Sequence, residues 1–181
     1  MSDKIIIMPY NDEWIKEFQD LGSSLRNALG DAAIRIDHIG STSIPNLAAK
    51  PIVDVQVSVS SLDTLDSYRI QLENLGFVYR ANNRDITKRY FRETPGNKRI
   101  HIHVRKAGSW AEQLALLFRD YMRTHPDDCK RYEELKYALA KRYENNRQMY
   151  TESKDKIIWE IIRKADKWSQ RTGWNPPRSD A

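Results

Sequence analysis

The residues best suited to chemistry lie in one stretch, DHIGSTSIPNLAAKPIVDVQVSV, at positions 37–59. Gly40, Ser41 and Thr42 follow a first apolar strand, and Lys50 and Asp54 lie around the start of a second. Glycine lets an anion approach the backbone closely, the two hydroxyls donate hydrogen bonds, and lysine adds a positive charge. A carboxylate on an otherwise buried strand needs a partner or a metal ion. This arrangement predicts a phosphate site beside a carboxylate that binds a divalent metal.

Each of these residues also has an ordinary structural explanation, and the sequence leaves it open. Gly40 followed by Ser41 is compatible with a plain turn after a strand. Asp54 is also compatible with a loop cap at the wet end of its strand, and Lys50 with a surface lysine. Their occurrence in one short stretch favours a site. We therefore expect Ser41 and Asp54 on the same side of one sheet, within about 10 Å of each other.

A second candidate group consists of His101 and His103, which lie on a predicted strand. Residues i and i+2 of a strand point the same way and are about 6.6 Å apart. Their neighbours Ile100, Ile102 and Val104 are apolar and are expected to face a core. Two imidazoles on one face can share a metal ion or contact a phosphate group.

Four arginines near this pair favour an anion site: Arg89, Arg92, Arg99 and Arg105. Of these, Arg92 is predicted to contact the phosphate. A bound metal or anion is expected between Asp54 and the strand of His101 and His103. The alternative is a direct hydrogen bond between Asp54 and a histidine that only satisfies buried groups.

Composition limits the class of protein. The 181 residues are 40% hydrophobic and 30% charged, and no apolar run approaches the ~18 residues of a membrane-spanning helix. Asp3 and a run of only four apolar residues at 5–8 argue against a secretory signal. Cys129 is the single cysteine, which excludes an intrachain disulfide. We expect a cytoplasmic protein with no membrane partner.

The net charge of +5 is concentrated in the middle of the chain. Residues 76–106 hold 9 basic and 2 acidic side chains. Such a segment is suited to nucleotide phosphates or to nucleic acid. It is equally consistent with a solvated hairpin that carries Lys and Arg on its outer face.

The spacing of hydrophobic residues predicts the elements that position these groups. Helices are predicted over 12–29, 62–75, 109–123, 126–146 and 153–169, and strands over 34–39, 52–59, 77–79, 88–92 and 99–105. The apolar stripe of the helix over 109–123 is expected to include Trp110 and Phe118. Arg119 and Lys136 are expected on solvated helix faces, and the alternative is that they line the cleft between the sheet and the helices. The tail after Gly173 is expected to be poorly ordered.

Three segments together resemble the GrpB family, a bacterial group with a nucleotidyltransferase-like fold. They are HIGSTSIPNLAAKPIVD at 38–54, HIHV at 101–104 and FRDYMRTHP at 118–126. The resemblance extends from Pro9 to Trp168. It implies an α/β (α+β) fold, in which a mixed sheet is flanked by helices and a C-terminal helical segment packs on it. It also implies a single domain over 1–172, with a nucleotidyltransferase-like core at 1–108, helices at 109–172 and a tail at 173–181.

The superfamily pattern implied by this resemblance is a hydrophobic residue, Gly, then Gly or Ser, and later an acidic–hydrophobic–acidic triplet. Ile39-Gly40-Ser41 and Asp54-Val55 match it, but Gln56 replaces the second carboxylate. In the superfamily, two or three carboxylates hold the Mg²⁺ ions that clamp a triphosphate. A single aspartate with a neutral amide binds Mg²⁺ poorly. This departure indicates a different metal, with His101 or His103 in place of a carboxylate, or a fold that has lost the reaction.

The expected function is therefore binding of a nucleotide or phosphate ester, with metal-dependent nucleotidyl transfer left open. Asp54 and Ser41 are the candidate catalytic residues, and Gly40, Ser41, Thr42, Lys50 and Arg92 are the candidate phosphate ligands. Asp54, helped by Gln56, His101 or His103, is predicted to hold a divalent metal of unknown identity. Domains related to this family are fused to dephospho-coenzyme A kinase, which favours a nucleotide or coenzyme context. The alternatives are a non-catalytic ligand- or partner-binding module on this fold, and a basic nucleic-acid-binding protein.

Overall fold

The computed structural model describes residues 4–181, so Asp3, used above against a secretory signal, lies outside the described range. The described chain forms six α-helices and five strands. The helices are α1 (Glu13–Leu29), α2 (Asp66–Asn74), α3 (Trp110–Thr124), α4 (Pro126–Arg142), α5 (Arg147–Glu152) and α6 (Asp155–Thr172). The strands are β1 (Arg35–Ile39), β2 (Val53–Val59), β3 (Phe77–Tyr79), β4 (Lys88–Glu93) and β5 (Ile100–Lys106). All five predicted strands are confirmed. The helix predicted over 126–146 is α4 and ends earlier, at Arg142, and the short helix α5 lies between two predicted helices and was not predicted.

The strands form one mixed sheet in the order β1-β2-β5-β4-β3. Strand β2 is antiparallel to β1 and parallel to β5, and β4 is antiparallel to both β5 and β3. Because β2 and β5 are neighbours, Asp54 lies opposite His101 and Gln56 lies opposite His103. The predicted class, a mixed sheet with flanking helices, is confirmed.

The two faces of the sheet differ because side chains alternate along each strand. On one face, the four valines at odd positions of β2 pack with Phe18 and Leu25 of α1 and with Tyr68 of α2. The other face of β2 carries Asp54, Gln56 and Ser58. The sheet therefore offers one apolar face to a core and one polar face to the C-terminal helices.

Helix α3 covers part of the polar face. Its own buried polar groups form hydrogen bonds with the polar side chains of β2. Ser58 Oγ donates to Glu112 Oε1 at 2.7 Å, and Gln56 Nε2 donates to the carbonyl oxygen of Glu112 at 3.2 Å. Arg119 on the same helix is fully buried. The prediction of a solvated face at Arg119 is wrong, because the strands beneath present acceptors and not apolar side chains.

The predicted apolar stripe of α3 is correct in part. Trp110 is 72% exposed, so its assignment to the core is wrong. Phe118 is half-buried and packs edge to face on Tyr132, with ring centroids 6.0 Å apart. Tyr121 and Met122 are buried with residues of α4 and α6 in a second hydrophobic cluster.

The tail after Gly173 lies along the outer edge of β1, contrary to the expectation of a poorly ordered end. The backbone N–H of His38 donates to Asp180 Oδ2 at 3.0 Å, and the N–H of Ala181 donates to the carbonyl of Ile36 at 3.1 Å. Ser179 Oγ accepts from the N–H of Ile36 at 2.8 Å. The tail thus provides partners for outward-facing groups of β1, which would otherwise form an open sheet edge.

No helix within residues 4–181 is long and apolar enough to cross a membrane. The cytoplasmic location and the division into a core at 1–108 and helices at 109–172 stay predictions.

Candidate functional site

The uncovered part of the polar sheet face lines a cavity of about 420 Å³ beneath α4, α5 and the start of α6, where Lys154 is the N-cap residue. Its wall contains seven residues predicted from the sequence: Gly40, Ser41, Thr42, Lys50, Asp54, His101 and His103. It also contains residues that the sequence did not single out as ligands, among them Lys88, Tyr90, Tyr132, Lys136, Arg147, Tyr150 and Lys154. The structure therefore brings the loop of residues 40–50 and the two histidines to one place.

Asp54, His101 and His103 form a compact cluster at the sheet end of this cavity. Asp54 Oδ1 lies 3.2 Å from His103 Nε2 and 3.3 Å from His101 Nδ1. Each residue offers one ligand atom, and these atoms all lie within 4.8 Å of one another. The cluster is explained by the register, because the three side chains share one face of two neighbouring strands.

The electrostatics of the cluster keep Asp54 ionised. Burial alone raises the pKa of its carboxyl, but the hydrogen bonds from His101 and His103 hold that pKa well below the usual range. Burial lowers the pKa of His103, against the opposing effect of Asp54, so its imidazole is neutral near pH 7. Lys88 Nζ lies 3.2 Å from Nδ1 of His103 and donates to it. The Nε2 atom of His103 then carries the ring proton and donates to Asp54.

A glycine is required at position 40 because the backbone there lies against the carboxylate of Asp54. Its φ angle is 72°, in the region that favours glycine, and a Cβ at this position would lie 2.7 Å from Asp54 Oδ2. The backbone of the loop therefore closes one side of the carboxylate. This role was not predicted, since the sequence suggested that Gly40 approaches an anion.

The hydroxyls of the loop are already engaged within the protein. Thr42 Oγ1 donates to the carbonyl of Ile52 at 3.1 Å and lies 3.0 Å from His38 Nε2. Burial lowers the pKa of His38 to about 3, so its neutral ring donates to Thr42. Ser41 lines the cavity and hydrogen-bonds to Tyr132. Burial raises the pKa of Tyr132 to about 12, and the hydrogen bond with Ser41 partly opposes this rise. Thr42 thus holds the turn, and Ser41 lies at the cavity surface.

Arg92 is placed differently from the other predicted ligands. It lies opposite His101 on β4, but it is absent from the cavity wall and donates to Glu93 Oε1 at 2.8 Å. Its role as a phosphate ligand stays a prediction that the cavity does not support.

The side of the cavity formed by the helices and by the end of the loop of residues 40–50 is cationic. Lys50, Lys136, Arg147 and Lys154 line it, and none of them forms a salt bridge with a carboxylate within residues 4–181. Burial, followed by the neighbouring cations Lys154 and Arg147, lowers the pKa of Lys50 to about 8. Lys50 and Lys154 both lie over the ring of Tyr150, at 5.2 and 4.7 Å from its centroid.

Lys136 is the most buried of these cations, at 2% exposure, which corrects the prediction of a solvated helix face. Its Nζ donates to the carbonyl of Ala48 and lies 4.7 Å from the ring centroid of Tyr132. Burial, and then the charge of Lys154, lowers its pKa to about 7. A polar residue on a helix usually indicates solvent, so the sequence favoured a solvated face, and the alternative position in the cleft is the one that the structure shows.

Comparison with known proteins assigns the chain to a family. The family model described as GrpB protein matches residues 4–164. The chain belongs to the GrpB family.

Relatives of this GrpB chain occur in several bacteria. The UPF0157 protein YqkA of Bacillus subtilis is 37% identical over 168 residues, covering 92% of this chain and 49% of YqkA. A UPF0157 protein of Streptomyces coelicolor is 36% identical and covers 90% of this chain and 84% of the relative. The dephospho-CoA kinase of Mycolicibacterium paratuberculosis is 30% identical and covers 94% of this chain and 48% of the kinase. This chain therefore spans about half the length of YqkA and of that kinase.

Solved structures support the same placement. The crystal structure of the conserved protein GrpB from Enterococcus faecalis matches with a TM-score of 0.84 at 32% identity, covering 91% of this chain and 99% of the other. The structure of Cid1 in complex with its short product ApU matches with a TM-score of 0.51 at 19% identity, covering 75% and 43%. At this identity, the likeness to Cid1 shows the fold alone. The GrpB chain thus has a nucleotidyltransferase-like fold.

Within this GrpB fold, Gln56 stands where the nucleotidyltransferase pattern has its second carboxylate. Its side chain is fully buried and hydrogen-bonded to α3, and its Oε1 atom has no partner among the described residues. It does not line the cavity. The prediction that Gln56 helps Asp54 to hold a metal is therefore not supported by its position.

Proposed function

We propose that the protein binds a nucleotide or another phosphate ester in the cavity between the sheet and helices α4 to α6. The observation that carries this proposal is an imbalance of charge. Lys50, Lys136, Arg147 and Lys154 line the cavity without a carboxylate partner in the described chain, and Asp54 is the one carboxylate among the described lining residues. A polyanion supplies the missing negative charge.

The physical reason is the cost of burying cations. An ammonium group removed from water without a compensating anion loses hydration free energy. Burial, and then the neighbouring charge of Lys154, therefore lowers the pKa of Lys50 to about 8 and that of Lys136 to about 7. Phosphate oxygens accept several charge-assisted hydrogen bonds at once, and so reverse this cost. A volume of about 420 Å³ lies within the range of about 300–1,000 Å³ typical of small-molecule sites.

Nucleotidyl transfer is a separate question from binding. The Mg²⁺ chemistry of the superfamily uses a pair of carboxylates, and Gln56 with its side chain turned to α3 does not complete such a pair. We therefore propose ligand binding, with Asp54 and Ser41 as candidate catalytic residues only if transfer is detected. The likeness to Cid1 and to a dephospho-CoA kinase guides the choice of ligands.

The nucleic-acid alternative is weakened by pairing within the basic segment 76–106. Lys98 donates to Glu17 at 2.5 Å, Arg105 lies 3.5 Å from Asp85, and Arg92 pairs with Glu93. These cations are already neutralised in part. Binding of RNA with a steep dependence on salt, and without any response to nucleotides, would favour this alternative.

Calorimetric titration tests the proposal directly. ATP, UTP, dephospho-CoA and inorganic triphosphate are titrated into wild type, Lys154→Met and the matched control Lys156→Met. Lys156 lies two residues after Lys154, in the first turn of α6, and is exposed. We expect at least one ligand to bind wild type and Lys156→Met, and to bind Lys154→Met at least about tenfold more weakly, which is ~1.4 kcal/mol. No binding by wild type at millimolar ligand, or equal binding by all three proteins, would overturn the proposal.

A transfer assay then separates an enzyme from a binding module. Labelled nucleoside triphosphate is incubated with the protein and with a short RNA whose 3′-hydroxyl can accept the nucleotidyl group, and release of pyrophosphate and extension of the RNA are measured with and without divalent metals. Release that Asp54→Asn abolishes would make Asp54 catalytic. Binding without release would identify a non-catalytic module.

A further inference from the structure

The donor set at the sheet end of the cavity does not match the Mg²⁺ site of the superfamily. Mg²⁺ prefers oxygen ligands in octahedral geometry and relies on carboxylate charge. Here Asp54 is the one carboxylate among the described residues of the wall, and Gln56 is turned towards α3. The remaining donors beside Asp54 are the imidazoles of His101 and His103.

We propose that Asp54, His101 and His103 form a binding site for a transition-metal dication of the Zn²⁺ and Co²⁺ class, and that this site discriminates against Mg²⁺. Imidazole nitrogen is a good ligand for these metals, and two histidines with one carboxylate leave further positions open. This inference rests on the proposed function, because the open positions face the same cavity that is assigned to the phosphate ligand.

The orphaned nitrogen of His101 supports this assignment. Its side chain is 9% exposed, Nδ1 lies 3.3 Å from Asp54, and the buried Nε2 atom has no partner in the described residues. A metal ion on Nε2 would complete this atom, while Nδ1 keeps its contact with Asp54 and orients the ring. The potential ligand atoms of the three residues lie within 4.8 Å of one another, close enough for small side-chain shifts to bring them around one ion.

Charge in the cavity disfavours Mg²⁺ further. The cluster has one carboxylate, while Lys50 and Lys88 line the same cavity. A metal held mainly by Coulombic attraction gains little from one carboxylate that is already surrounded by cations. A metal held by nitrogen lone pairs depends less on net charge, and so tolerates this environment better.

Lys88 competes with the metal for His103. Its ammonium donates to Nδ1 of His103 at 3.2 Å, which leaves the ring proton on Nε2 beside Asp54. A metal on Nε2 requires that proton to be on Nδ1 or lost, and Lys88 must then turn away. Replacing Lys88 with methionine removes both the hydrogen bond and a positive charge. We expect Lys88→Met to bind the metal several-fold more tightly than wild type.

The test uses Co²⁺, whose visible absorption reports its ligands independently of any activity. Co²⁺ is titrated into wild type, His103→Gln, Asp54→Asn and His125→Gln, with circular dichroism to verify folding. His125 lies at the end of α3 outside the cavity wall, so His125→Gln is the matched control. We expect wild type and His125→Gln to give the same spectrum, and His103→Gln and Asp54→Asn to weaken binding at least about tenfold.

Competition with Mg²⁺ completes the experiment. A hundredfold excess of Mg²⁺ is expected to leave the Co²⁺ spectrum unchanged, and its displacement of Co²⁺ would overturn the claim of selectivity. A Co²⁺ spectrum that His103→Gln and Asp54→Asn both retain would place the metal elsewhere and overturn the site. Inorganic triphosphate is titrated separately without metal. If it binds and Co²⁺ does not, the metal site is wrong while the proposed function stands; if Co²⁺ binds and no phosphate compound does, the proposed function fails alone.

Discussion

Two buried cations on neighbouring helices have opposite environments. Arg119 of α3 is fully buried and donates to Asp120 at 2.7 Å and to Asp180 at 2.8 Å, with Asp37 at 3.7 Å. Lys136 of α4 is 2% exposed and donates only to the carbonyl of Ala48, with no carboxylate salt bridge in residues 4–181. The protein thus neutralises one buried cation and leaves the other uncompensated.

The difference separates scaffold from site. A buried ion pair loses stability when one partner is removed, because the other charge stays buried without compensation. A buried cation without a carboxylate costs stability while it is charged, and its retention indicates a use other than folding. On this argument Arg119 holds β1, α3 and the tail together, whereas Lys136 is available to bind an anion in the cavity.

The first prediction concerns the scaffold. Arg119→Met is expected to lower the free energy of unfolding by about 3–5 kcal/mol, since it removes the buried partner of Asp120 and Asp180 and leaves the fully buried Asp37 with Arg35 alone. Urea titration measures the change. A loss below about 1 kcal/mol would show that the carboxylates find other partners, and would remove the distinction between the two cations.

The second prediction tests the carboxylate end of the cavity against a matched glycine. Gly40 and Gly76 both have positive φ angles, 72° and 88°, but only a Cβ on Gly40 meets another group, Asp54 Oδ2 at 2.7 Å. Gly76→Ala is expected to cost about 1 kcal/mol from backbone strain, and Gly40→Ala about 2–3 kcal/mol because the clash adds to it. Both are measured by urea titration.

Co²⁺ binding gives a second comparison between Gly40→Ala and Gly76→Ala. Gly40→Ala displaces Asp54, so it is expected to weaken Co²⁺ binding, whereas Gly76→Ala leaves it unchanged. Equal destabilisation by the two variants, with unchanged Co²⁺ binding, would show that the contact of Gly40 with Asp54 has no energetic consequence.

The sequence predicted the sheet side of the cavity better than the helical side. Asp54, His101 and His103 were predicted together because alternation along a strand fixes which side chains share a face. The parallel pairing of β2 with β5, distant in sequence, was the added fact that the structure supplied. Strand pattern therefore determined the sheet wall of the cavity.

The helical wall was not predictable in this way. Lys136 and Arg119 were predicted to lie on solvated faces, with the cleft as the alternative. A polar residue on a helix usually faces solvent, and only tertiary contacts show when it does not. The burial of Arg119 depends on Asp180, 61 residues further along the chain, in a tail expected to be poorly ordered. Arg147 belongs to the short helix α5, which was not predicted because it lies between the helices predicted over 126–146 and 153–169. Such contacts over long sequence distances leave no local pattern.

The third prediction concerns ligand binding by Lys136. Lys136→Met is expected to weaken binding of inorganic triphosphate at least about tenfold, ~1.4 kcal/mol, without lowering the free energy of unfolding. The control is Lys130→Met, on the exposed face of the same helix. Calorimetry and urea titration are run on the same preparations. A Lys136→Met protein that is destabilised by more than about 2 kcal/mol, yet binds triphosphate normally, would make Lys136 part of the scaffold like Arg119.

The last prediction uses pH to distinguish the two cations. The pKa of Lys136 falls to about 7, because burial and the charge of Lys154 both oppose protonation, whereas an unfolded lysine titrates near 10.4. Between these values the unfolded state binds more protons than the folded state, so this lysine makes stability rise with pH across that window. Below pH 7 the folded protein carries the buried charge and its full cost. Lys136→Met removes this contribution, so its stability relative to wild type is expected to be greatest near pH 6 and to shrink by pH 9, by at most about 1.4 kcal/mol per pH unit. Urea titrations at pH 6, 7.5 and 9 measure the difference, and Lys130→Met is expected to show none. A difference that is independent of pH would mean that Lys136 stays protonated in the folded protein throughout, and that hydrogen bonding to Ala48 compensates its charge as fully as carboxylates compensate that of Arg119.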